Sequence, residues 1–212
     1  MKSSDEERRR IPNFLGSTDA RKWQDSNIRL RQPQTGIWFT EGPEFRQWVI
    51  DDRSQLWICG IGLAFFYCDY KNSKTHEPLE ILGALARQLI AQNEECFEDL
   101  KQFYDNDHEK DGSIRSPTVE DLCDLISLVS TRFRMAMIIV DGLDEISNNR
   151  AGITRHLKSL NDRSNTIKTL FASRPEIDIG YELEGFSQVS IATNSSDLRL
   201  YVTSEIERRT RE

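Results

Sequence analysis

The segment that most constrains the fold is residues 135–146, with the sequence MAMIIVDGLDEI. An apolar run leads directly into the carboxylates of Asp141, Asp144 and Glu145. A continuous apolar run of this kind is typical of a strand that is buried on both faces of a parallel sheet. Open α/β sheets bind their ligands at the carboxyl ends of their strands, so the three carboxylates lie where a site is expected.

Carboxylates at the end of a buried strand are suited to holding Mg²⁺ against a nucleotide phosphate. A buried strand that simply ends in a polar turn gives the same residues, and short motifs often match by chance. This segment alone leaves both interpretations open, so the rest of the chain has to distinguish them.

The composition is that of a polar-surfaced protein. The chain has 212 residues, of which 37% are hydrophobic and 30% are charged, and this is enough for one α/β domain with its own core. Its net charge of −7 argues against a nucleic-acid partner. No apolar run approaches the roughly 20 residues needed to cross a bilayer, and the N-terminus has no apolar segment of a secretory signal. We therefore expect a cytoplasmic protein with no membrane and no nucleic-acid partner.

The cysteines and histidines show no spacing typical of a metal site. No two cysteines form a C-x-x-C pair, which predicts reduced, buried thiols and neither a zinc site nor a disulfide framework. The histidines are scattered, and we expect them to be surface or packing residues. Residues 105–116 are acidic but depart from the EF-hand spacing, so we expect a solvated loop there. The residues concerned are Cys59, Cys68, Cys96 and Cys123, with His76, His108 and His156.

Hydrophobic periodicity predicts strands that alternate with helices, which indicates an α/β fold with a mainly parallel sheet. Thr75 is expected to cap a helix that has Pro78 in its first turn, and Thr118 with Asp121 resembles a capping box. The predicted helices are residues 20–26, 43–49, 78–93, 96–104, 118–133, 151–160 and a last one from 197. The predicted strands after residue 130 are 135–140, 166–172 and 186–191.

Residues 56–70, with the sequence LWICGIGLAFFYCDY, do not fit one regular strand. Their two apolar runs, 56–61 and 63–67, meet at Gly60 and Gly62. A single strand would span about 50 Å, far beyond the usual length. Two parallel strands would need a crossover of about a dozen residues, which this segment lacks. A tight antiparallel turn at the glycines, a kinked strand, or one run outside the sheet remain as explanations.

A second strand ends in residues that complement the first. Residues 166–172 run into Ser173-Arg174-Pro175, one helix later in the sequence than Asp141. Because parallel strands end at the same edge of a sheet, we expect Arg174 to face the site of Asp141. An arginine there is suited to reading a terminal phosphate. The two segments together favour a phosphate site over a polar turn.

These segments resemble the Walker B strand (IIVDGLDE) and the sensor strand (TLFASRPE) of the NACHT-type P-loop NTPase domain. The version they resemble is nephrocystin-like and common in fungal signalling and incompatibility proteins. LWICGI is similar to the first strand of this family, and LAFFYCDYKNSKTHEPLEILGALARQL to the second strand and its helix. The resemblance implies a three-layer NTPase-like fold over residues 31–212, after a charged, flexible lead-in and short helix over residues 1–30.

The resemblance also assigns roles to four residues. Asp141 would be the Walker B carboxylate that holds Mg²⁺. Asp144 and Glu145 would be the acidic pair that orients water and metal, and Arg174 would be the sensor of the nucleotide. An intact family member would use Mg-ATP or Mg-GTP, and nucleotide exchange would drive its assembly. The resemblance therefore implies other proteins as partners, including homotypic NACHT contacts.

The chain departs from the family at the phosphate-binding loop. Between LWICG and FFY the family has a Walker A loop of the GxxxxGK[ST] kind and a whole helix, and no Gly-Lys pair occurs in this sequence. The backbone cradle, the lysine and the Mg²⁺-binding hydroxyl would all be missing. We therefore expect no cofactor and no hydrolysis of ATP or GTP. Either the gene has lost this first crossover or the reading of the gene skipped it, and the sequence leaves both open.

Three functions follow from this pattern. The first is a degenerate nucleotide-switch domain of a signal-transduction protein. The second is a non-catalytic interaction module that pairs with intact NACHT proteins. The third is an unstable fragment, because a lost crossover removes core from a protein with only about 5–15 kcal/mol of stability.

Overall fold

The computed structural model describes residues 11, 12, 14, 15, 41, 61–106, 116–190, 203 and 206. The chain divides into two compact units. The first, Met1–Trp23 with Gly60–Glu184, contains every strand and helix whose bounds are given below. The second consists of Gln24–Cys59 and Gly185–Glu212.

The first unit is built on a parallel sheet with the strand order β1-β2-β3. The strands are β1 (Ile61–Tyr67), β2 (Met135–Asp141) and β3 (Ile167–Ala172). Tyr67 lies opposite Asp141, which lies opposite Ala172 on its other side. The carboxyl ends of all three strands therefore meet at one edge, as the α/β pattern of the sequence predicted.

Helices connect these strands and confirm the predicted α/β class. Among the helices whose bounds the described residues give, three lie between β1 and β2 in the sequence, one lies between β2 and β3, and one comes directly after β3. They are α1 (Pro78–Ile90), α2 (Glu94–Asn106), α3 (Val119–Ser130), α4 (Arg150–Arg163) and α5 (Ile177–Glu182). Short 3-10 helices, Ser73–His76 and Leu143–Glu145, lie in the loops after β1 and β2.

The helix starts follow from local chemistry. The Thr118 hydroxyl accepts from the Asp121 N–H (3.2 Å) and the Asp121 carboxylate accepts from the Thr118 N–H (2.8 Å), which is the predicted capping box. Pro78 lies in the first turn of α1, where its missing N–H leaves no bond unmade. The prediction that Thr75 caps α1 is wrong. Glu77 holds that position, while Thr75 is buried in the preceding 3-10 helix and its hydroxyl donates to loop carbonyls.

The core lies on one face of the sheet. Alternate residues of β1 and β2 are buried there together with apolar residues of α1, α3 and α4. The other face is only half-buried among the described residues, and Leu63 is 42% exposed. β2 is thus fully buried on one face, whereas its continuous apolar run predicted burial on both. The strand residues of the core are Ala64, Phe66, Ala136, Ile138, Val140 and Ile167.

Gly62 lies inside β1 and pairs with Ala136, so the antiparallel turn considered for the glycines is wrong. A Cβ atom at Gly62 would lie 3.0 Å from the side chains of Leu89 and Phe133. The glycine therefore lets α1 approach the strand closely. Of the other apolar run, 56–61, only Ile61 is described, and it begins β1; residues 56–60 lie outside the described residues.

The segment after β3 differs from its prediction. The short helix α5 was not predicted, because a helix of six residues shows too little periodicity to be recognised. Residues 186–190, predicted as most of a strand, have no strand conformation. Val189 is exposed, so the alternation of apolar residues there has no buried face to support a strand.

The described part of the N-terminal lead-in is packed. Ile11 and Leu15 are each 2% exposed, and the Phe14 ring meets Tyr104 of α2 edge-on at 5.2 Å. The Leu15 carbonyl lies so close to Gly83 of α1 that a Cβ atom there would be 1.7 Å from it. At these positions the chain packs on α1 and α2, whereas the sequence predicted a flexible lead-in.

Some of the remaining predictions agree with the structure, and the others concern residues outside the described ones. The thiols of Cys68, Cys96 and Cys123 are free and buried, as predicted. Thr203 and Ile206 are helical, as predicted for the last helix. No helix among the described residues is both long and apolar enough to cross a bilayer. The predicted helices 20–26 and 43–49, with Cys59, His108 and most of the acidic loop, lie outside the described residues.

Candidate functional site at the carboxyl edge of the sheet

Backbone hydrogen bonds hold the three strand ends at one level. The Cys68 N–H donates to the Asp141 carbonyl (2.9 Å), and the Gly142 N–H donates to the Ala172 carbonyl (2.9 Å). Gly142 has a φ of +77°, and a Cβ atom there would lie 2.9 Å from the Cys68 carbonyl oxygen. Only glycine takes this conformation without strain, so Gly142 turns the chain sharply into the acidic loop. Buried Leu143 then anchors that loop in the core.

Asp144 joins the acidic loop to the segment after β3. Its side chain is 10% exposed, and its Oδ1 accepts a hydrogen bond from the Arg174 backbone N–H (2.9 Å). The Nε of Arg174 lies 3.6 Å from Oδ2, while the arginine side chain as a whole is 82% exposed. The structure therefore brings Asp144 and Arg174 together and leaves most of the guanidinium open to solvent.

Glu145 joins the acidic loop to the segment after β1. Its Oε2 accepts from the Tyr70 backbone N–H (3.0 Å). The buried imidazole of His76 adds a second link, with Nδ1 at 3.0 Å from the Ser147 hydroxyl and Nε2 at 3.0 Å from the Asp69 carbonyl. His76 is thus a packing residue, as the sequence predicted. The Tyr70–Glu145 and His76–Ser147 hydrogen bonds together hold the loop after β1 against the loop after β2.

Asp141 has no ion-pair partner among the described residues, and it is exposed at the edge of the sheet. Although the residue is exposed to solvent, the surrounding protein partly desolvates its carboxylate, and this raises its pKa above the usual value. A hydrogen bond from Gly142 lowers the pKa, and the charges of Glu145 and Asp144 raise it further. The thiol of Cys68 responds to the same surroundings: burial, with a smaller effect of Asp141, raises its pKa to about 12. The edge of the sheet therefore concentrates negative charge.

Arg150, at the start of α4, is a residue of the candidate site that sequence analysis missed. It binds Asp178 of α5 with two hydrogen bonds, of 2.8 and 2.6 Å, and its Nη1 donates to the Asp144 carbonyl (3.1 Å). Glu176 lies 3.4 Å from the same guanidinium, and hydrogen bonding from Arg150 lowers the pKa of Asp178. No local pattern marks this contact because its partners lie in different segments of the chain.

Asp144, Glu145, Arg150 and Arg174 line an open cleft of about 860 Å³, and Asp141 is not among its lining residues. Its charged lining consists of three carboxylates and two guanidinium groups, so the walls carry one net negative charge. A bare polyphosphate would be repelled by such a lining unless a cation came with it. The lining includes Tyr70, Asp144, Glu145, Asn149, Arg150, Arg174 and Asp178.

In the part of the chain that the structure describes, no three His, Cys, Asp or Glu side chains form a ready-made metal site. Mg²⁺ rarely needs one, because it keeps several waters and binds through one or two carboxylates together with substrate phosphates. The donor set present, an exposed Asp141 carboxylate beside two further acids, fits Mg²⁺ that arrives with a nucleotide.

The family model of the nephrocystin 3 N-terminal region matches residues 61–174, which is more than half of the chain. The chain belongs to the nephrocystin 3 N-terminal family. The match begins with β1 and ends at Arg174, so it contains all three strands, the acidic loop and the arginine that contacts it. The nephrocystin-like resemblance inferred from the sequence is confirmed.

The chain is also similar to the vegetative incompatibility protein HET-E-1 of Podospora anserina. The two are 25% identical over 202 residues, which cover 81% of this chain and 15% of that protein. This nephrocystin-like chain therefore corresponds to a small part of its longer relative. No solved structure matches the chain.

Proposed function

We propose that the chain is a NACHT-like nucleotide-switch domain of a cytoplasmic signal-transduction protein. In this proposal it has kept the Walker B loop and the sensor arginine but has lost its phosphate-binding loop. The observation that carries the proposal is the bond between the Asp144 carboxylate and the Arg174 backbone, which joins the ends of β2 and β3. A polar turn on the surface would have no need of a nearly buried carboxylate in this position.

In this proposal each site residue occupies the position that it would have in an intact family member with a phosphate-binding loop. Asp141 would hold Mg²⁺, since its carboxylate is exposed and unpaired with any described cation. Asp144 and Glu145, the acidic pair of the family resemblance, already bind the backbones of Arg174 and Tyr70. Their contribution would be to orient the loops around the metal and its water. Arg174 would read the terminal phosphate with its exposed guanidinium.

The same site argues against catalysis by the chain as written. Its lining has one net negative charge, and the Arg150 guanidinium is already bound to Asp178. The sequence has no Gly-Lys pair to supply the cradle and the lysine that offset the charge of the phosphates. We therefore propose that the chain holds no cofactor and hydrolyses neither ATP nor GTP.

Titration calorimetry with Mg-ATP and Mg-GTP, together with a phosphate-release assay, tests this proposal. The wild-type chain is expected to show no saturable heat and no release above background. Asp141→Ala and the matched control Asp162→Ala, an exposed acid on α4, should be indistinguishable from it. Micromolar affinity that disappears in Asp141→Ala but persists in Asp162→Ala would overturn the loss of nucleotide binding.

Sequencing the transcript across the codons for residues 58–64 distinguishes gene loss from a skipped segment. A transcript that joins these codons as they stand supports a degenerate domain. An in-frame insert that encodes a glycine-rich loop with Gly-Lys-Ser or Gly-Lys-Thr would instead make Asp141, Glu145 and Arg174 residues of a working switch.

A second candidate function, a protein-interaction module, is favoured by the outer face of α5. Ile177 is 94% exposed and Tyr181 is 76% exposed, and their spacing of four residues places them on the same side of the helix. Adjacent large apolar side chains in solvent are typical of a surface that binds another protein. An intact NACHT protein is the partner that the family membership suggests.

Light scattering of the chain mixed with an intact NACHT protein tests this candidate. Formation of a complex is expected, and the double variant Ile177→Ser/Tyr181→Ser should weaken it at least tenfold. Leu128→Ser, which removes an apolar side chain 46% exposed on α3, is the matched control. A double variant that binds as tightly as the wild type would exclude this surface.

A further inference from the structure

Gln88 of α1 and Gln92, which lies in the turn directly after α1, bind the outer edge of β1. Gln88 and Gln92 lie one helical turn apart, and Leu63 and Phe65 lie two residues apart on the strand. The Phe65 N–H donates to Oε1 of Gln88 (3.3 Å), and Nε2 of Gln88 donates to the Phe65 carbonyl (2.8 Å). In the same way the Leu63 N–H donates to Oε1 of Gln92 (3.0 Å), and Nε2 of Gln92 donates to the Leu63 carbonyl (2.7 Å).

The spacing of the two glutamines matches the spacing of the two strand residues that they bind. Four residues of an α-helix rise about 6 Å, and two residues of a strand rise about 6.6 Å. A side-chain amide offers one acceptor and two donors, so it makes the same pair of bonds as a peptide group of a neighbouring strand. The two glutamines therefore take the place of two residues of an adjacent strand.

The second proton of each amide fixes its orientation. Nε2 of Gln88 also donates to the Ala84 carbonyl (3.1 Å), and Nε2 of Gln92 also donates to the Gln88 carbonyl (2.6 Å). Rotating either amide by half a turn would place its oxygen against two carbonyl oxygens. Each glutamine is thus held in the single orientation that satisfies the strand.

We propose that Gln88 and Gln92 close the β1 edge of the sheet to strand addition. The unpaired N–H and C=O groups of an edge strand are a template for another chain. Among the described strands β1 (IGLAFFY) is an apolar strand at the edge of the sheet, so it needs such protection. With its outward groups at Leu63 and Phe65 bound, β1 does not accept a strand from a partner or from a second copy. This inference is independent of nucleotide binding.

Hydrogen exchange of the wild-type chain provides the first test. The amides of Leu63 and Phe65 face away from β2, yet they should exchange as slowly as those of Ala64 and Phe66, which face it. Exchange of Leu63 and Phe65 at the rates of unprotected amides would overturn the proposal without any variant being made.

The second test opens the edge. Gln88→Ala/Gln92→Ala should speed exchange of Leu63 and Phe65 at least tenfold and bind a lysine-tagged peptide with the sequence of β1. The wild type and Gln102→Ala, an exposed glutamine of α2, should bind this peptide at least tenfold more weakly. Equal peptide binding by the double variant and the wild type would overturn the proposal. If the double variant does not fold, Gln92→Ala alone, at an exposed position, should release the Leu63 amide only, and its failure to do so would count against the proposal.

Discussion

At the scale of single residues, Gly142 decides how the acidic loop leaves β2. Its φ of +77° and the 2.9 Å between a Cβ atom there and the Cys68 carbonyl oxygen exclude other residues without a backbone shift. Gly142→Ala is therefore expected to lower the free energy of unfolding by about 1–3 kcal/mol. Gly180→Ala, at a helical glycine with nothing within 4 Å, is the control and should be neutral or stabilising. Urea denaturation measures both, and equal effects of the two would contradict the strain argument.

Asp141 is a residue whose charge costs stability. Its pKa in the folded chain is raised by burial and by neighbouring acids, so its stabilising contribution is present below the unfolded pKa near 3.9 and is lost as the pH rises. Asp141→Asn is therefore expected to raise the melting temperature at pH 7. The difference should vanish below about pH 4, where the wild-type carboxyl is protonated. If the variant instead lowers the melting temperature at pH 7, the folded protein stabilises the ionised Asp141 carboxylate, which contradicts this prediction.

At the scale of elements, contacts with α4 hold the short helix α5 in place. Arg150 binds Asp178, while Arg155 binds the Glu182 carboxylate (2.5 and 3.1 Å) and Lys158 donates to its carbonyl (2.8 Å). The largest apolar anchor of α5 is Ile179, which is 3% exposed. α5 is therefore positioned both by the burial of Ile179 and by charged contacts, which salt weakens.

Arg150→Met is expected to speed exchange of the α5 amides roughly tenfold, because it removes a two-bonded charge contact that solvent partly screens. Arg150→Lys, which keeps the charge but not the paired geometry, should restore part of the protection. Arg163→Met is the control, since its partner Asp124 lies on α3 and not on α5. Unchanged exchange of α5 in Arg150→Met would show that apolar packing alone holds it.

The lead-in and α1 form a second contact between elements. Because the Leu15 carbonyl occupies the place of a Cβ atom at Gly83, Gly83→Ala is expected to destabilise the full chain by about 1–3 kcal/mol. In a chain that lacks residues 1–16 the same change should stabilise by up to about 1 kcal/mol, because alanine favours a helix. Thermal unfolding of the four proteins measures this reversal of sign, and the same sign in both backgrounds would mean that the lead-in does not lie on Gly83.

At the scale of the whole molecule, three buried thiols make stability depend on alkaline pH. Burial is the main cause that raises the pKa of Cys68 to about 12 and those of Cys96 and Cys123 to about 11. An unfolded thiol ionises near pH 8.5, so the unfolded chain releases protons first and stability falls as the pH rises above that value. Replacing each cysteine by alanine should reduce the slope of unfolding free energy against pH between about 9 and 11. If no replacement changes this slope, the loss of stability at alkaline pH comes from titratable groups other than these thiols.

Patterns that repeat along the chain were sufficient to predict the elements around the site. The apolar run before Asp141, the capping box at Thr118 and the stripes of α1, α3 and α4 depend on neighbours within a few residues. Two strands joined by a helix also indicate that Asp141 and Arg174 belong to one edge of the sheet. The sequence by itself therefore determined the α/β class, two of the three strands, and the edge at which a site was expected.

The contacts across that edge were decided by the tertiary structure alone. The bond from Arg174 to Asp144, the clamp of Arg150 on Asp178 and the bond from Tyr70 to Glu145 join segments that are 30, 28 and 75 residues apart. Periodicity shows which face of an element is apolar but not which element covers it. A hydrogen bond between distant segments leaves no mark in local sequence, because its partners meet only after the sheet has brought their strands together.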